Sequence, residues 1–460
     1  MLPTLNVDPV GALTSPLTSA ELLAVSRAAT AAKLGLQEAP SRAPTQPRHR
    51  RTASAAAAAV AAAGTAPTGV STTPTGATGR LTRLVIGFVS SYFRDHNLLR
   101  LTRSLFQRYD RSRLRVVLFA ESDDDGSAIL NETQRAVDSF TRIRSLPTSA
   151  AIEAMAREGL HLAINLNGHH WNAAAETVMA SDCLWWQVLI ASDCLWWQVR
   201  FGLFGLAAAP VRAAYMGYPG PCGAPGAIQY TYVDTAAVPA HLAKLGFTER
   251  LVLLPHTYYL NDYAASHAEL LRRRVPPSAD SLPPHCVLLC SLNQLPKLDP
   301  SLYSAWLNAL SRAAARGPCT RLWLLRFPAA GEAHLRREAH AHVSPPPRAS
   351  LIGLPTVRHA AHLRRAQHCD LMLDSALCNA HTSGTDALWA GTPMLTMPGE
   401  TQTARVALSL LKAVAQPELA VASLRAFEDA VTSLTADLRP VTALIADLDG
   451  AGAPRVWLRG

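Results

Sequence analysis

DLMLDSALCNAHTSGTDALWAGTPMLTM, residues 370–397, decides the fold. DLMLD (370–374) and PMLTM (393–397) are short apolar runs of strand length. Between them the chain runs through a loop from Ser375, and at His381-Thr382-Ser383 it begins a helix that continues through ALWAG. Strand, helix, strand is the unit of a parallel sheet, since neighbouring parallel strands need a crossover. Ligands in such sheets meet the carboxyl ends of strands, and anions favour helix N-termini. The hydroxyls of Thr382 and Ser383 and the first-turn amides therefore face a candidate anion site, with His381 at its edge. Asp386, also in the first turn, suits the helix dipole but repels phosphate, so a sugar hydroxyl is its better partner.

The same texture extends outward. CVLLC (286–290), RLWLLRF (321–327) and ASLIGL (349–354) read as further strands of this half. An earlier series consists of LVIGFVS (84–90), LRVVLFA (114–120), LHLAINL (160–166) and VRAAYMG (211–217), with helical periodicity at 98–108 and 149–158. The expected fold is α/β: two Rossmann-like lobes facing a cleft, 81–262 and 285–460, joined by a connection at 263–284. Residues 1–80 are rich in Ala, Pro, Thr and Ser and read as a disordered head. Its basic cluster Arg48–Arg51 fits a nuclear address, part of a transit segment or a solvated tether. ASDCLWWQV at 180–188 recurs letter for letter at 191–199, a Trp-rich duplicated insertion spanning 180–200 that is too short for a solenoid.

Composition narrows the function. The 43 Lys plus Arg against 34 Asp plus Glu give +9, yet only four are lysines (Lys33, Lys244, Lys297 and Lys412) and the arginines are scattered, which argues against a nucleic-acid partner. No run reaches the ~18 apolar residues of a membrane span. Eight cysteines in a chain of 460 residues make no disulfide framework; Cys286 and Cys290 read as buried free thiols, which predicts a reducing compartment. His340-x-His342 and His359-x-x-His362 have ligand-like spacing for zinc, but neither CxxC nor HExxH accompanies them, so no metal is expected.

After strand 286–290 comes a second informative loop, Ser291 to Pro300. Asp299 followed by Pro300 is a helix start, which leaves Lys297 in a loop at a strand's carboxyl end, where an ammonium can meet a diphosphate. Neither GxxxxGK[ST] nor GxSxG is present, which disfavours a P-loop ATPase and the commonest hydrolases. Two lobes with a diphosphate site in the second suggest a nucleotide-sugar glycosyltransferase.

At these residues the chain resembles a known family. LNQLPKLDP (292–300), LWLLRFPAAGE (322–332), HLRR (362–365), LCNAHTSGTDALWAGTPMLTMPGET (377–401), GYPG (217–220) and LPHTYYLND (254–262) are similar to the catalytic region of protein O-GlcNAc transferases. FVSSYFRDH (88–96) and LHLAINLNGH (160–169) resemble that family's first-lobe motifs. The resemblance implies a GT-B fold and an inverting, metal-independent enzyme without a cofactor. Its donor is UDP-GlcNAc and its acceptors are Ser or Thr of intracellular proteins, in the cytoplasm or nucleus. It implies that Gln294 and Lys297 hold the diphosphate region, that His381, Thr382 and Ser383 meet the phosphates, and that Asp386 contacts the ribose. It further implies that His362 stacks on uracil with Arg365 nearby, and that His359 stands where the family usually has Lys. His96 matches the proposed general base; His161 and Glu158 are the other candidates in the chain, and a donor phosphate acting through water is a further one. The related plant-type protein O-fucosyltransferases, which use GDP-fucose, and an inactive nucleotide-sugar-binding remnant are the rival readings.

Some family features are not visible. No 34-residue period precedes Leu84, few residues separate Asp262 from Cys286, and Gly460 comes before the family's last helices. Arg100 replaces a second His. These departures predict a weak, poorly discriminating transferase with loosely braced lobes.

Overall fold

Phe88 and Val89 point to opposite faces of the first strand, and both are buried, as are Leu118 and Phe119 on its neighbour. Strands covered on both faces are what a parallel sheet between helical layers requires. The computed structural model describes residues 83–167, 203–204, 209–224, 226–271, 286–316, 319–342 and 351–437. The head, the duplicated Trp-rich segment, part of the connection and the end of the chain lie outside the described residues.

In the first lobe, β1 (Leu84–Ser90), α1 (Asn97–Gln107), β2 (Leu114–Ala120), α2 (Ala128–Ala136), β3 (Ser139–Arg142), α3 (Thr148–Arg157) and β4 (Leu162–Asn165) alternate along the chain. β5 (Val211–Ala214), β6 (Tyr230–Val233), α4 (Ala240–Gly246) and β7 (Arg250–Leu253) complete it. The sheet order is β3-β2-β1-β4-β5-β6-β7, and every pairing is parallel. The side-chain period of two divides its core. Phe88, Val116 and Leu118 pack on one face, and Val89, Val117, Phe119 and Ile143 on the other.

A one-turn helix, α5 (Tyr263–Ser266), follows β7. The second lobe then repeats the theme with β8 (Val287–Ser291), α6 (Pro300–Arg316), β9 (Thr320–Leu325), α7 (Gly331–His342), β10 (Leu351–Leu354), α8 (His359–Ala366), β11 (Leu371–Leu373), α9 (Thr382–Trp389) and β12 (Met394–Leu395). Helices α10 (Val406–Ala413) and α11 (Leu424–Ala436) close it. Its order, β10-β9-β8-β11-β12, is again wholly parallel. Asp299 caps α6 as its sequence predicts, its carboxylate accepting from the Leu302 amide at 3.0 Å. In both sheets the strand order reverses beside the first strand, between β1 and β4 and between β8 and β11. Loops leaving these strands diverge and open a crevice.

The cysteine reading is corrected. Cys286 is bridged to Cys319 and Cys290 to Cys369. Cys286 and Cys319 each stand one residue before adjacent parallel strands, where Val287 is in register with Thr320. Strand order makes neighbours of thiols 33 residues apart. The argument from free thiols to a reducing compartment falls with this pairing.

Between the lobes, Ser409 of α10 donates to Asp234 at 2.6 Å, and the Arg405 guanidinium donates to the Ala236 carbonyl at 3.1 Å. Among the described residues, the expectation of loosely braced lobes meets a buried polar pin between them. Within the first lobe, Gly217 is packed so closely that a Cβ would lie 1.8 Å from the Leu166 carbonyl oxygen. Gly217→Ala should destabilise the chain by about 1–3 kcal/mol, since backbone must yield to backbone. Thermal melting of the variant checks this; an unchanged midpoint would contradict the packing.

Candidate functional site

The loops leaving β8 and β11 meet at the second sheet's switch point. Lys297 ends a single 3-10 turn, Leu295–Lys297, and its ammonium donates to the Asn379 carbonyl at 2.9 Å. Two loops more than eighty residues apart in sequence are thereby joined at the group expected to meet a diphosphate. Gln294 lies exposed at the start of that turn.

Helix α9 begins beside them. His381 is its N-cap, held by its Nε2 donating to the Thr403 carbonyl at 3.2 Å. The Thr382 and Ser383 amides have no carbonyl ahead of them in the helix and point out of its end, whereas the Gly384 amide donates back to the His381 carbonyl at 3.1 Å. The Thr382 hydroxyl is 2.9 Å from the Tyr259 hydroxyl, and the Ser383 hydroxyl donates to the Asn293 side chain. The helix dipole, these amides and Lys297 bring positive charge together at the carboxyl ends of β8 and β11, a setting suited to a diphosphate.

One turn on, Asp386 is buried, and three groups converge on it. The Tyr263 hydroxyl donates to Oδ1, His359 Nε2 lies 3.1 Å from the same oxygen, and His362 Nε2 lies 3.6 Å from Oδ2. Arg365 donates to His362 Nδ1 at 2.9 Å, so the neutral ring carries its proton on Nε2, facing Asp386. Burial lowers the His362 pKa and so favours the neutral ring. Among the described residues no group of three or more His, Cys, Asp or Glu is placed to hold a metal ion. His359 and His362 turn to Asp386 instead.

The first-lobe candidates divide. His96 caps α1 at the carboxyl end of β1, on the side of the sheet where ligands bind. Its ring stacks on Tyr92 at 3.9 Å, and its Nδ1 accepts from the Leu98 amide at 3.1 Å. In the neutral ring the proton is therefore on Nε2, so His96 offers a hydrogen bond rather than a lone pair. His161 is not brought to the site. It precedes β4, at the amino edge of the sheet, where its Nδ1 accepts from the Val85 amide at 3.1 Å. Glu158 shares that edge and pairs with Arg115 at 2.5 Å. A residue before a parallel strand stands a strand's length from the ligand edge, which removes both from acceptor chemistry.

Sequence reading missed Tyr259, Tyr263, Asn293 and Asp374. The tyrosines lie in or just after LPHTYYLND, in a segment that follows the first lobe and docks onto the second-lobe site, as the bonds to Thr382 and Asp386 show. Asn293 stands next to Gln294 in the loop already singled out, and it is buried where its neighbour is exposed, a difference the sequence does not carry.

Two parallel Rossmann-type lobes with an anion-facing helix start at the second switch point define a glycosyltransferase of the GT-B fold. More particularly, the chain belongs to glycosyl transferase family 41, which it matches over residues 71–183, 171–281 and 275–450. It is 33% identical over 359 residues to a probable UDP-N-acetylglucosamine–peptide N-acetylglucosaminyltransferase of Arabidopsis thaliana, covering 77% of this chain and 33% of that protein. It is 26% identical over 464 residues to a UDP-N-acetylglucosamine–peptide N-acetylglucosaminyltransferase of Caenorhabditis elegans, covering 77% and 37%. The chain thus spans about a third of the length of these curated relatives. An O-GlcNAc transferase mutant of Thermobaculum terrenum shares the fold, with a TM-score of 0.69 at 20% identity over 98% of this chain and 72% of that one.

Proposed function

We propose that this chain moves N-acetylglucosamine from UDP-GlcNAc to serine or threonine hydroxyls of proteins, with inversion and without a metal. The observation that carries the reading is the meeting of Lys297 with the α9 start, through Asn379, at the carboxyl ends of β8 and β11. The names of the Arabidopsis and Caenorhabditis relatives support both donor and acceptor class.

In this reading the acceptor oxygen attacks the anomeric carbon from the face opposite the diphosphate. A new C–O bond forms as the bond to the β-phosphate oxygen breaks, and UDP leaves with the electron pair. Lys297 and the amides of Thr382 and Ser383 neutralise the charge that develops on it. Gln294 borders the diphosphate, the His362 ring supports the uracil with Arg365 behind it, and Asp386 with His359 faces the ribose. The acceptor proton passes to a donor phosphate oxygen through water, because His96 already uses its Nδ1 lone pair on Leu98. His96 instead donates from Nε2 on the acceptor side. Acceptors in the cytoplasm or nucleus are part of the same proposal. No helix among the described residues is long and apolar enough to cross a membrane.

A calorimetric titration tests the donor. UDP is expected to bind with the same affinity in the presence and absence of EDTA, and GDP at least about tenfold more weakly, a difference of 1.4 kcal/mol. Loss of more than about tenfold in UDP affinity on chelation would overturn the metal-free reading. A preference for GDP would overturn the choice of donor.

A further inference from the structure

Asp374 ends β11 at the switch point and is 1% exposed. A carboxylate buried so deeply is costly unless its oxygens are fully engaged. Its Oδ1 accepts from the Ser375 amide at 2.8 Å, the Ala380 amide at 2.6 Å and the Asn293 side-chain amide at 3.1 Å. Its Oδ2 accepts from the Thr396 hydroxyl at 2.6 Å. These donors belong to three segments: the loop after β8, the loop after β11 and the strand end of β12.

Each contact leads on to an anion-facing group. Asn293, held by Asp374 through its Nδ2, presents its Oδ1 to the Ser383 hydroxyl. The loop 375–380, closed by the two amide bonds to Asp374, carries the Asn379 carbonyl that seats the Lys297 ammonium. Asn379 is itself fixed by its Nδ2 donating to the Ser375 carbonyl at 2.8 Å. One carboxylate therefore sets the separation between Lys297 and the start of α9.

We propose that Asp374 is the positioning residue of the diphosphate subsite, holding Lys297 and Ser383 in register without touching the donor itself. This rests on the functional reading above and adds a role to it. Burial pushes the Asp374 carboxyl up to about 6, opposed by the Thr396, Ala380 and Asn293 hydrogen bonds and by the charge of Lys297, so it is mostly ionised at neutral pH. An ionised carboxylate is acceptor-only, as four donors require. In an Asp374→Asn variant an NH2 group stands either at Oδ1, where it opposes all three donors, or at Oδ2, where it meets the Thr396 hydroxyl; in both cases the negative charge that strengthens these bonds is lost and the loops are held less firmly.

The test compares inhibition constants of uridine and UDP for wild-type chain, Asp374→Asn and Thr396→Val. Uridine lacks the diphosphate, so a defect confined to the diphosphate subsite weakens UDP alone. Asp374→Asn should narrow the UDP-to-uridine ratio by at least about tenfold, and Thr396→Val, which removes one bond to Oδ2, by about threefold. Circular dichroism reports folding; if Asp374→Asn does not fold, Thr396→Val decides. Equal weakening of both ligands would show a merely structural role and overturn the proposal, as would an unchanged ratio. A wild-type chain that fails to bind UDP overturns the functional reading and this role with it; one that binds UDP with variants unaffected overturns this role alone.

Discussion

Lys297→Met is expected to lower the rate of sugar transfer by about 10²–10³, equivalent to about 3–4 kcal/mol of transition-state stabilisation, while leaving the chain folded. In the proposed reaction the ammonium meets the leaving diphosphate as it gains charge, and methionine keeps the length of the side chain without that charge. Stability should change by about 1 kcal/mol or less, because among the described residues the half-buried side chain makes one hydrogen bond, to the Asn379 carbonyl. Circular dichroism and a labelled-sugar assay run side by side check both halves. Retained turnover would reduce Lys297 to a loop charge.

The second large effect concerns stability. Asp234 follows β6 and is 1% exposed. It accepts from the Ala236 amide at 2.8 Å, the Ala237 amide at 2.9 Å, the Tyr258 amide at 3.0 Å and the Ser409 hydroxyl at 2.6 Å. Ser409 in turn lies 2.7 Å from the Thr257 hydroxyl, so the first lobe, the segment after β7 and α10 of the second lobe converge on one carboxylate. Asp234→Ala strands four buried donors at once. Each costs about 1–3 kcal/mol unpaired, and partial relaxation brings the sum to about 3–5 kcal/mol. The melting midpoint should fall by roughly 5–10 °C. Asp234→Asn, which keeps one oxygen acceptor, should lose less. A melting curve unchanged in Asp234→Ala would show that the lobes are held elsewhere.

Long apolar strands were legible because their pattern is local. β1 and β2 begin and end where LVIGFVS and LRVVLFA do, and α6 starts at the Asp-Pro pair that announces it. β3, β6 and β7 escaped notice: each is four residues long, and SFTR carries a single large apolar side chain. The loops that carry Lys297 and the start of α9 are legible because a lone lysine and a helix start each follow a strand, which places both at the carboxyl edge of a parallel sheet. Their supports were not found, since a buried carboxylate is recognised by its partners. Asn293 lies 81 residues from Asp374, and Ser409 lies 175 from Asp234. His161 shows the opposite error. It lies at the start of the predicted strand LHLAINL (160–166), and that amino end, one residue before β4, puts the ring on the far edge of the sheet.

Transfer itself tests the account most directly. The chain would be incubated with isotopically labelled UDP-GlcNAc and a short peptide containing Ser and Thr, and the peptide then weighed and fragmented by mass spectrometry. The account predicts addition of one labelled N-acetylhexosamine to a Ser or Thr, removable by β-elimination, insensitive to EDTA and lost with Lys297→Met. A folded wild-type chain that leaves the peptide unlabelled, or that labels it from GDP-fucose and not from UDP-GlcNAc, would contradict it.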